Sequence, residues 1–157
     1  MFRRILVTLD GSEMAEQALP TAVNHAKNFH SNLYLLRVIN PLTKSYRTGL
    51  ATISAIERAE EQLRIMAEDY LEGIATNLRA EGIEVKIVTR IGIPYKEIIS
   101  FSDQNNIDLI IMCTRGESGF TRWMLGSNTD YVIRGTHVPV FVIPAIEIKK
   151  DNTQSNI

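Results

Sequence analysis

The sequence contains a single cysteine, Cys113, among 157 residues, so it can form no internal disulfide and offers no cysteine pair to a metal ion. Such sparse cysteine usage is typical of a reducing compartment. The first residues, MFRRILVTLDGSE, hold an apolar run that is too short for a signal-peptide core or a membrane span. We therefore expect a cytoplasmic protein without a membrane partner.

The sequence also lacks an excess of charge of one sign. Seventeen basic and eighteen acidic residues give a net charge of -1, whereas a chain that follows nucleic-acid phosphates usually has a surplus of lysine and arginine. Nucleic acid is therefore not the expected partner. With 45% hydrophobic and 22% charged residues, the composition predicts one globular domain over residues 1–146. Residues 147–157 form a polar tail that has too few apolar residues to pack.

Strict nucleotide and catalytic motifs are missing as well. Neither G-x-x-x-x-G-K-[ST] nor a G-x-G-x-x-G after the first strand occurs, which argues against P-loop NTPases and dinucleotide oxidoreductases. Ser118 stands in GESGF and not in the G-x-S-x-G elbow of a hydrolase. His25, His30 and His137 are too scattered for a metal site, so we interpret them as surface or capping residues.

What the sequence does contain is an alternation of strand-like and helix-like segments. Apolar runs of strand length, rich in β-branched residues, occupy positions 4–9, 33–39, 85–91, 108–113 and 138–144. Several are apolar almost throughout, which is typical of strands covered on both faces, and the segments between them have helical periodicity. The pattern predicts an α/β domain with a doubly wound parallel sheet.

Helical periodicity and capping residues predict four helices, which begin after Ser12, near Ala55, at Pro94 and near Gly126. Pro20 interrupts the first of them. Because proline removes a backbone hydrogen bond and clashes with the preceding turn, we expect a bend at this residue. Gly82 is expected to end the second helix, and Pro94 suits the first position of the third.

Polar and glycine-bearing segments follow the strands at the edge where parallel sheets bind ligands, close to the point where the strand order reverses. They are TLDGS after the first strand, VIN after the second, and CTRGESG after the fourth. Gly116 would allow close approach of a ligand, Arg115 would add charge, and Gly126-Ser127-Asn128 would offer free N–H groups at a helix start. Two interpretations remain open: an anion site, or a turn in which Ser127 is only an N-cap.

Five segments have a distinctive order and spacing: ILVTLDGSEMAEQAL, LLRVI, GIPYKEII, DLIIMCTRGESGFTRWMLGSNTDYVI and VPVFVIP. Together they resemble the universal stress protein family, from Arg4 to about Pro144. The resemblance implies a five-stranded parallel sheet in the order 3-2-1-4-5. It also implies a homodimer paired through the last strand, from Val138 to Pro144, which agrees with the aggregation risk of a bare apolar edge.

One branch of that family binds ATP through the pattern G-x2-G-x9-G-[S/T], and this chain has C-x2-G-x9-G-S, with Cys113 in place of the first glycine. A cysteine side chain takes space beside the ligand and disfavours a positive φ, so altered nucleotide binding stays open. By resemblance, the adenosine half would contact Thr8, Leu9, Asp10 and Val38. The middle of the site would be lined by Met112, Cys113 and Thr114. Ribose and phosphates would be held by Gly116, Gly126, Ser127 and Asn128.

The resemblance implies a stress-response protein that binds ATP or a related adenine nucleotide and acts as a sensor or regulator. The sequence shows no evident general base, Walker-type magnesium site or arginine finger, so turnover is not expected, although slow hydrolysis stays open. Magnesium would bind through the phosphates, with Ser127 as a neighbour. An alternative is a protein-interaction module that binds no nucleotide. An ATP pyrophosphatase is disfavoured, because DGSE after the first strand lacks a phosphate loop.

Overall fold

A computed structural model describes residues 1–42, 49, 52–114 and 125–146. The strands are β1 Arg4–Thr8, β2 Asn32–Ile39, β3 Val85–Ile91, β4 Leu109–Cys113 and β5 Val140–Ile143. The helices are α1 Glu13–Glu16, α2 Leu19–Phe29, α3 Ile53–Ala80, α4 Pro94–Gln104 and α5 Ser127–Gly135. The predicted polar tail, residues 147–157, lies outside the described residues.

The five strands form one parallel sheet in the order β3-β2-β1-β4-β5. β1 is central, and its Leu6 is in register with Tyr34 of β2 on one side and Ile110 of β4 on the other. The predicted doubly wound sheet and its strand order are confirmed. Because the chain first extends the sheet on the β2 side and then on the β4 side, the order reverses next to β1. A ligand site is therefore expected at the carboxyl ends of β1 and β4.

The core consists of two apolar layers, one on each face of the sheet. Side chains alternate along each strand, so Val7 and Ile111 face α1, α2 and α3, whereas Leu6 and Ile110 face α4 and α5. The first layer contains the small buried residues Ala15, Ala18, Ala22 and Ala26, which let α1 and α2 approach the sheet closely. These layers fix the strand ends that carry the predicted site.

The first helical segment differs from its prediction. Instead of one helix with a bend, the structure has two, and α1 ends at Glu16 before α2 begins at Leu19. Pro20 lies in the first turn of α2, where its missing N–H has no intrahelical partner to lose. In a continuous helix its ring would clash with the carbonyl of Glu16, four residues earlier, so a break replaces the expected bend.

The longest helix, α3, has 28 residues and begins slightly earlier than predicted, because the Thr52 hydroxyl caps it by accepting from the N–H of Ala55 at 3.3 Å. Gly82 follows its end with a φ of 81°, as expected for a glycine stop. The buried side chains of α3 lie in its second half, at Ala67, Leu71, Ala75 and Leu78. Neither α3 nor any other helix in the described ranges is both long and apolar enough to cross a membrane.

Candidate functional site

A cavity of about 620 Å³ opens at the carboxyl ends of β1, β2 and β4. Its volume lies within the roughly 300–1,000 Å³ that is usual for small-molecule sites. Every predicted site residue that the structure describes lines it: Thr8, Leu9, Asp10, Val38, Met112, Cys113, Thr114, Gly126, Ser127 and Asn128. The other two, Arg115 and Gly116, lie outside the described residues.

The turn after β1 orients the carboxylate of Asp10. Asp10 Oδ1 accepts hydrogen bonds from the backbone N–H of Ser12 at 2.9 Å and from the Ser12 hydroxyl at 2.6 Å. The same hydroxyl accepts from the N–H of Ala15 at 3.1 Å and thereby caps α1. The carboxylate is thus fixed at the edge of the cavity by the turn that starts the first helix.

Arg37, near the end of β2, also lines the cavity and packs against this turn. Gly11 has a φ of 92°, and a Cβ atom there would lie only 3.0 Å from Arg37 Nη2. The guanidinium carbon of Arg37 is 5.2 Å from the centroid of the Tyr70 ring. Sequence reasoning missed Arg37, although a charge at the carboxyl end of the otherwise apolar run LYLLRVI was a usable signal.

Tyr70 links the first helix to α3. Its hydroxyl donates to Glu16 Oε1 at 2.8 Å. Burial raises the pKa of the Tyr70 phenol far above its ordinary value, and the hydrogen bond to Glu16 raises this pKa further. The phenol therefore stays protonated at neutral pH and continues to donate to Glu16.

The N-terminus of α5 forms another part of the cavity. Gly126 is the N-cap, with a φ of -60° and a ψ of 147°, and no side-chain hydrogen bond caps this helix within the described ranges. The first-turn N–H groups of a helix point out of its end and carry partial positive charge. The interpretation of Ser127 as the N-cap is wrong, because Gly126 holds that position and Ser127 is the first helical residue.

Several hydrogen bonds hold the start of α5 against the ends of β4 and β5. The N–H of Gly126 donates to the Thr114 carbonyl at 2.7 Å, and the buried Thr129 hydroxyl donates to the Cys113 carbonyl at 3.0 Å. Thr114 in turn accepts from the N–H of Ala145 at its hydroxyl, at 3.1 Å. The uncapped end of α5 is thus positioned by the protein itself.

Cys113 is the last residue of β4, and the residue is 5% exposed. The thiol lies 3.5 Å from the carbonyl oxygen of Ala15 in α1, to which it donates. The backbone of Cys113 is a β-strand and has no positive φ, so this position does not require a glycine. Burial raises the pKa of the thiol to about 11, which keeps it protonated and weakly nucleophilic at neutral pH.

The rest of the cavity wall is largely apolar, with side chains from β2, β4 and three helices. Its apolar residues include Ala15, Leu36, Val38, Ile39, Leu63, Pro94, Ile98, Met112 and Leu125. Such a surface suits a flat, mostly apolar ring. The histidines lie elsewhere: His30 caps the end of α2 in a left-handed conformation, and His25 contacts the ring of Phe29. The described residues contain no group of three histidine, cysteine or acidic side chains that could hold a metal ion.

The comparison with known families identifies the chain. The model described as the universal stress protein family matches residues 1–144. The chain belongs to the universal stress protein family. Universal stress protein MJ0577 of Methanocaldococcus jannaschii is 31% identical over 158 residues, an alignment that covers 91% of this chain and 95% of MJ0577. The solved structure of MJ0577 superimposes with a TM-score of 0.82 and 28% identity over 94% of this chain and 99% of that one.

Two more distant universal stress protein structures contain nucleotides. One, in complex with cAMP, has a TM-score of 0.61 and 19% identity, and covers 91% of this chain and 97% of its own. The other, from Archaeoglobus fulgidus and in complex with dAMP, has a TM-score of 0.57 and 21% identity, and covers 90% and 98%. At these identities the similarity shows that this universal stress protein shares their fold.

Proposed function

We propose that this universal stress protein is a cytoplasmic homodimer whose cavity binds ATP or a related adenine nucleotide. We further propose that it acts in stress response as a sensor or regulator and not by turnover. The observation that carries the proposal is one cavity lined both by the fixed carboxylate of Asp10 and by the N-terminus of α5, which no side chain of the described residues caps. A nucleotide has the matching groups, since its ribose hydroxyls can donate to a carboxylate and its phosphates can accept from N–H groups.

The phosphates are proposed to lie at the start of α5, on Gly126, Ser127 and Asn128. A helix terminus contributes roughly 0.3–1 kcal/mol per exposed charge and about 2 kcal/mol when partly buried, so further contacts are needed for useful affinity. We propose that Arg115 and Gly116 supply them. Mg²⁺ would bind through the phosphates, with the hydroxyl of Ser127 nearby.

The adenosine half is proposed to lie across the ends of β1, β2 and β4. Asp10 would accept from the ribose hydroxyls, with Thr8 and Leu9 beside it, and Val38 would contact the adenine. Met112, Cys113 and Thr114 would line the middle of the site. The same fold holds cAMP in one universal stress protein and dAMP in another, so the architecture is compatible with an adenine nucleotide.

The chemistry of the described lining residues supports binding more than turnover. Asp10 is the one carboxylate among them, it is bonded within its own turn, and no histidine lines this described part of the cavity. The thiol of Cys113 is protonated at neutral pH because burial raises its pKa. These described side chains therefore offer no activated nucleophile, which fits a protein that reports nucleotide levels.

The test begins with protein purified without added nucleotide. Denaturation should release ATP, ADP or AMP that chromatography with mass spectrometry can identify, and calorimetric titration with ATP should give saturable binding with and without Mg²⁺. GTP serves as the control for base selectivity. If no nucleotide co-purifies and ATP fails to bind at millimolar concentration, the proposal is wrong and the protein-interaction module becomes the better hypothesis.

The homodimer is proposed to form through the last strand, from Val138 to Pro144. Of the two edge strands, β3 carries Lys86 and Arg90, whereas β5 has the uncharged sequence VFVI. Charged side chains on an edge strand discourage pairing with another chain, and an uncharged apolar edge permits it. The difference favours β5 as the pairing edge.

A matched pair of variants tests this choice of edge. Phe141 of β5 and Ile91 of β3 are similarly exposed, at 41% and 39%. Phe141→Lys should convert the dimer into a monomer in sedimentation at micromolar concentration, and Ile91→Lys should leave it dimeric. A monomeric wild-type protein, or a dimer lost only in Ile91→Lys, would contradict pairing through β5.

A further inference from the structure

Arg37 is the one basic side chain among the described residues that line the cavity. Its guanidinium is packed between the ring of Tyr70, 5.2 Å from ring centroid to guanidinium carbon, and the backbone of Gly11. None of the ion pairs in the described ranges includes Arg37. The position of this guanidinium is therefore set by packing between an aromatic face and the turn that follows β1.

The contacts around Arg37 form a closed ring that connects α3, α1 and the turn after β1. Tyr70, on which Arg37 stacks, donates to Glu16 in α1 at 2.8 Å. Helix α1 is capped by the Ser12 hydroxyl, which also donates to Asp10 at 2.6 Å. Gly11, between Asp10 and Ser12, lies against Arg37 and completes the ring of contacts. A substitution at Arg37 would therefore affect the position of Asp10 by two routes. One passes through the neighbouring Gly11, and the other passes through Tyr70 and α1.

We propose that Arg37 is a positioning residue that holds the turn after β1 so that Asp10 presents its carboxylate to the ribose hydroxyls. This inference rests on the proposed nucleotide site. The planar guanidinium fits between the Tyr70 ring and the glycine backbone, and a lysine ammonium has neither this shape nor this stacking surface. Gly11 suits this approach, because its φ of 92° favours glycine and a Cβ atom, at 3.0 Å from Nη2 and 3.1 Å from Cζ, would push the guanidinium away from the turn.

The test compares ATP with 2′,3′-dideoxyATP, which has no ribose hydroxyls for Asp10. Arg37→Met should weaken ATP binding about tenfold and dideoxyATP binding less than about twofold, because the two ligands differ only in the contact that Arg37 is proposed to position. Arg37→Lys should restore little of the ATP affinity. Equal losses for the two nucleotides would overturn the inference, since a direct phosphate contact or a general structural defect weakens both.

Arg90→Met is the matched control. Arg90 also stacks on an aromatic ring, with its guanidinium carbon 5.5 Å from the centroid of Phe101, but it lies in β3 and does not line the cavity. Its replacement removes a comparable stacking contact at a distance from the turn. ATP affinity should stay within about twofold of wild type, and an equal loss in Arg90→Met would overturn the assignment to Arg37.

A measurement without ligand separates this inference from the proposed function. In amide hydrogen exchange followed by NMR, the N–H of Ser12, which is bonded to Asp10, should exchange about tenfold faster in Arg37→Met and at the wild-type rate in Arg90→Met. If wild type fails to bind ATP while Ser12 responds in this way, the proposed function fails and the positioning of the turn stands. If wild type binds ATP and Ser12 exchange is unchanged, the inference about Arg37 alone fails.

Discussion

Two helices, α1 and α5, begin at the cavity, and their N-termini differ in how they are capped. In α1 the Ser12 hydroxyl accepts from the N–H of Ala15, so a side chain occupies one of the donors that a helix start leaves open. In α5 the N-cap is Gly126, and no side-chain hydrogen bond caps the helix within the described residues. The Ser12 side chain thus caps α1, whereas no side chain of the described residues caps the start of α5.

We call the turn from Asp10 to Ser12, which starts α1, the α1 wall or capped wall of the cavity, and the start of α5, from Gly126 to Asn128, the α5 wall or uncapped wall. The difference in capping indicates that the two walls have different roles. Relative to an N-cap glycine, a capping side chain adds only a few tenths of a kcal/mol, so Gly126 leaves α5 without a side-chain cap of its own at little cost in stability. The start of α5 is nevertheless held from behind, by the bonds of Gly126 to Thr114 and of Thr129 to Cys113. We infer that the α1 wall presents a fixed acceptor at Asp10 and that the α5 wall presents donors.

The largest expected effect follows from removing the acceptor on the capped wall. Asp10→Ala should weaken ATP binding about 100-fold, because a carboxylate that accepts from two ribose hydroxyls loses two charge-assisted bonds worth roughly 1.5 kcal/mol or more each. Calorimetric titration measures the change. The control is Asp69→Ala, since Asp69 is an exposed residue of α3 that does not line the cavity. An affinity within a factor of three of wild type would show that Asp10 serves only its turn.

A smaller effect is expected when a capping residue is introduced at the N-terminus of α5. This change should raise the stability of the protein and lower its affinity for ATP. The φ and ψ of Gly126 are open to any residue, so Gly126→Asp can place a carboxylate on the first-turn N–H groups of α5. The unliganded protein should become more stable by a few tenths of a kcal/mol, as Gly-to-Asp caps typically give. ATP affinity should fall about tenfold, because the new carboxylate occupies the donors and repels phosphate.

For Gly126→Asp, urea unfolding measures the change in the free energy of unfolding, and ATP titration measures the change in affinity. Gly126→Ala is the control, because it adds a Cβ atom without an acceptor and should lower ATP affinity much less. Stabilisation without any loss of ATP affinity would separate the start of α5 from the phosphate site and would break the proposed division of roles.

The sequence predicts the parts of this site that depend on local pattern. Period-two and unbroken apolar runs locate the strands, and in a parallel sheet their carboxyl ends share one edge, so the segments at Asp10, Met112 and Ser127 could be expected to lie together. The strand order 3-2-1-4-5 came from family resemblance, because strand patterns alone do not fix which strands are neighbours. The separation of α1 from α2 depends on where Pro20 falls relative to the carbonyl of Glu16.

Side-chain direction could not be predicted in the same way. Arg37 lies in an otherwise apolar strand. Its proposed positioning role depends on contacts with Tyr70 and Gly11, which are distant from it in sequence. For Cys113, the pattern of the motif suggested a side chain that takes ligand space. In the structure Cys113 does line the cavity, and its thiol donates to the carbonyl of Ala15, which lines the cavity too. Both outcomes depend on which face of the sheet a residue occupies and on what packs there.

Cys113 joins the two walls that have been compared. Its thiol donates to the Ala15 carbonyl of α1, and its own carbonyl accepts from Thr129 of α5. Replacing the side chain therefore changes the contact with α1 and leaves the backbone contact with α5 in place. Cys113→Gly should not tighten ATP binding by more than about twofold, because the backbone at this position is already extended and the thiol is held at the cavity wall by its hydrogen bond to Ala15.

A pH dependence of stability, which needs no ligand, isolates the thiol. Burial raises the pKa of Cys113 from 9.0 to about 11, so the folded state favours the protonated thiol more than the unfolded state does. That stabilisation is complete below pH 9 and is lost as the pH rises toward 11, a change of about 2 kcal/mol. Cys113→Ala lacks this loss, and every other ionisable group is present in both proteins. The difference in unfolding free energy between wild type and Cys113→Ala, measured by urea unfolding, should therefore shrink over this range. A constant difference would mean that the thiol is exposed to water and does not make the contact with α1.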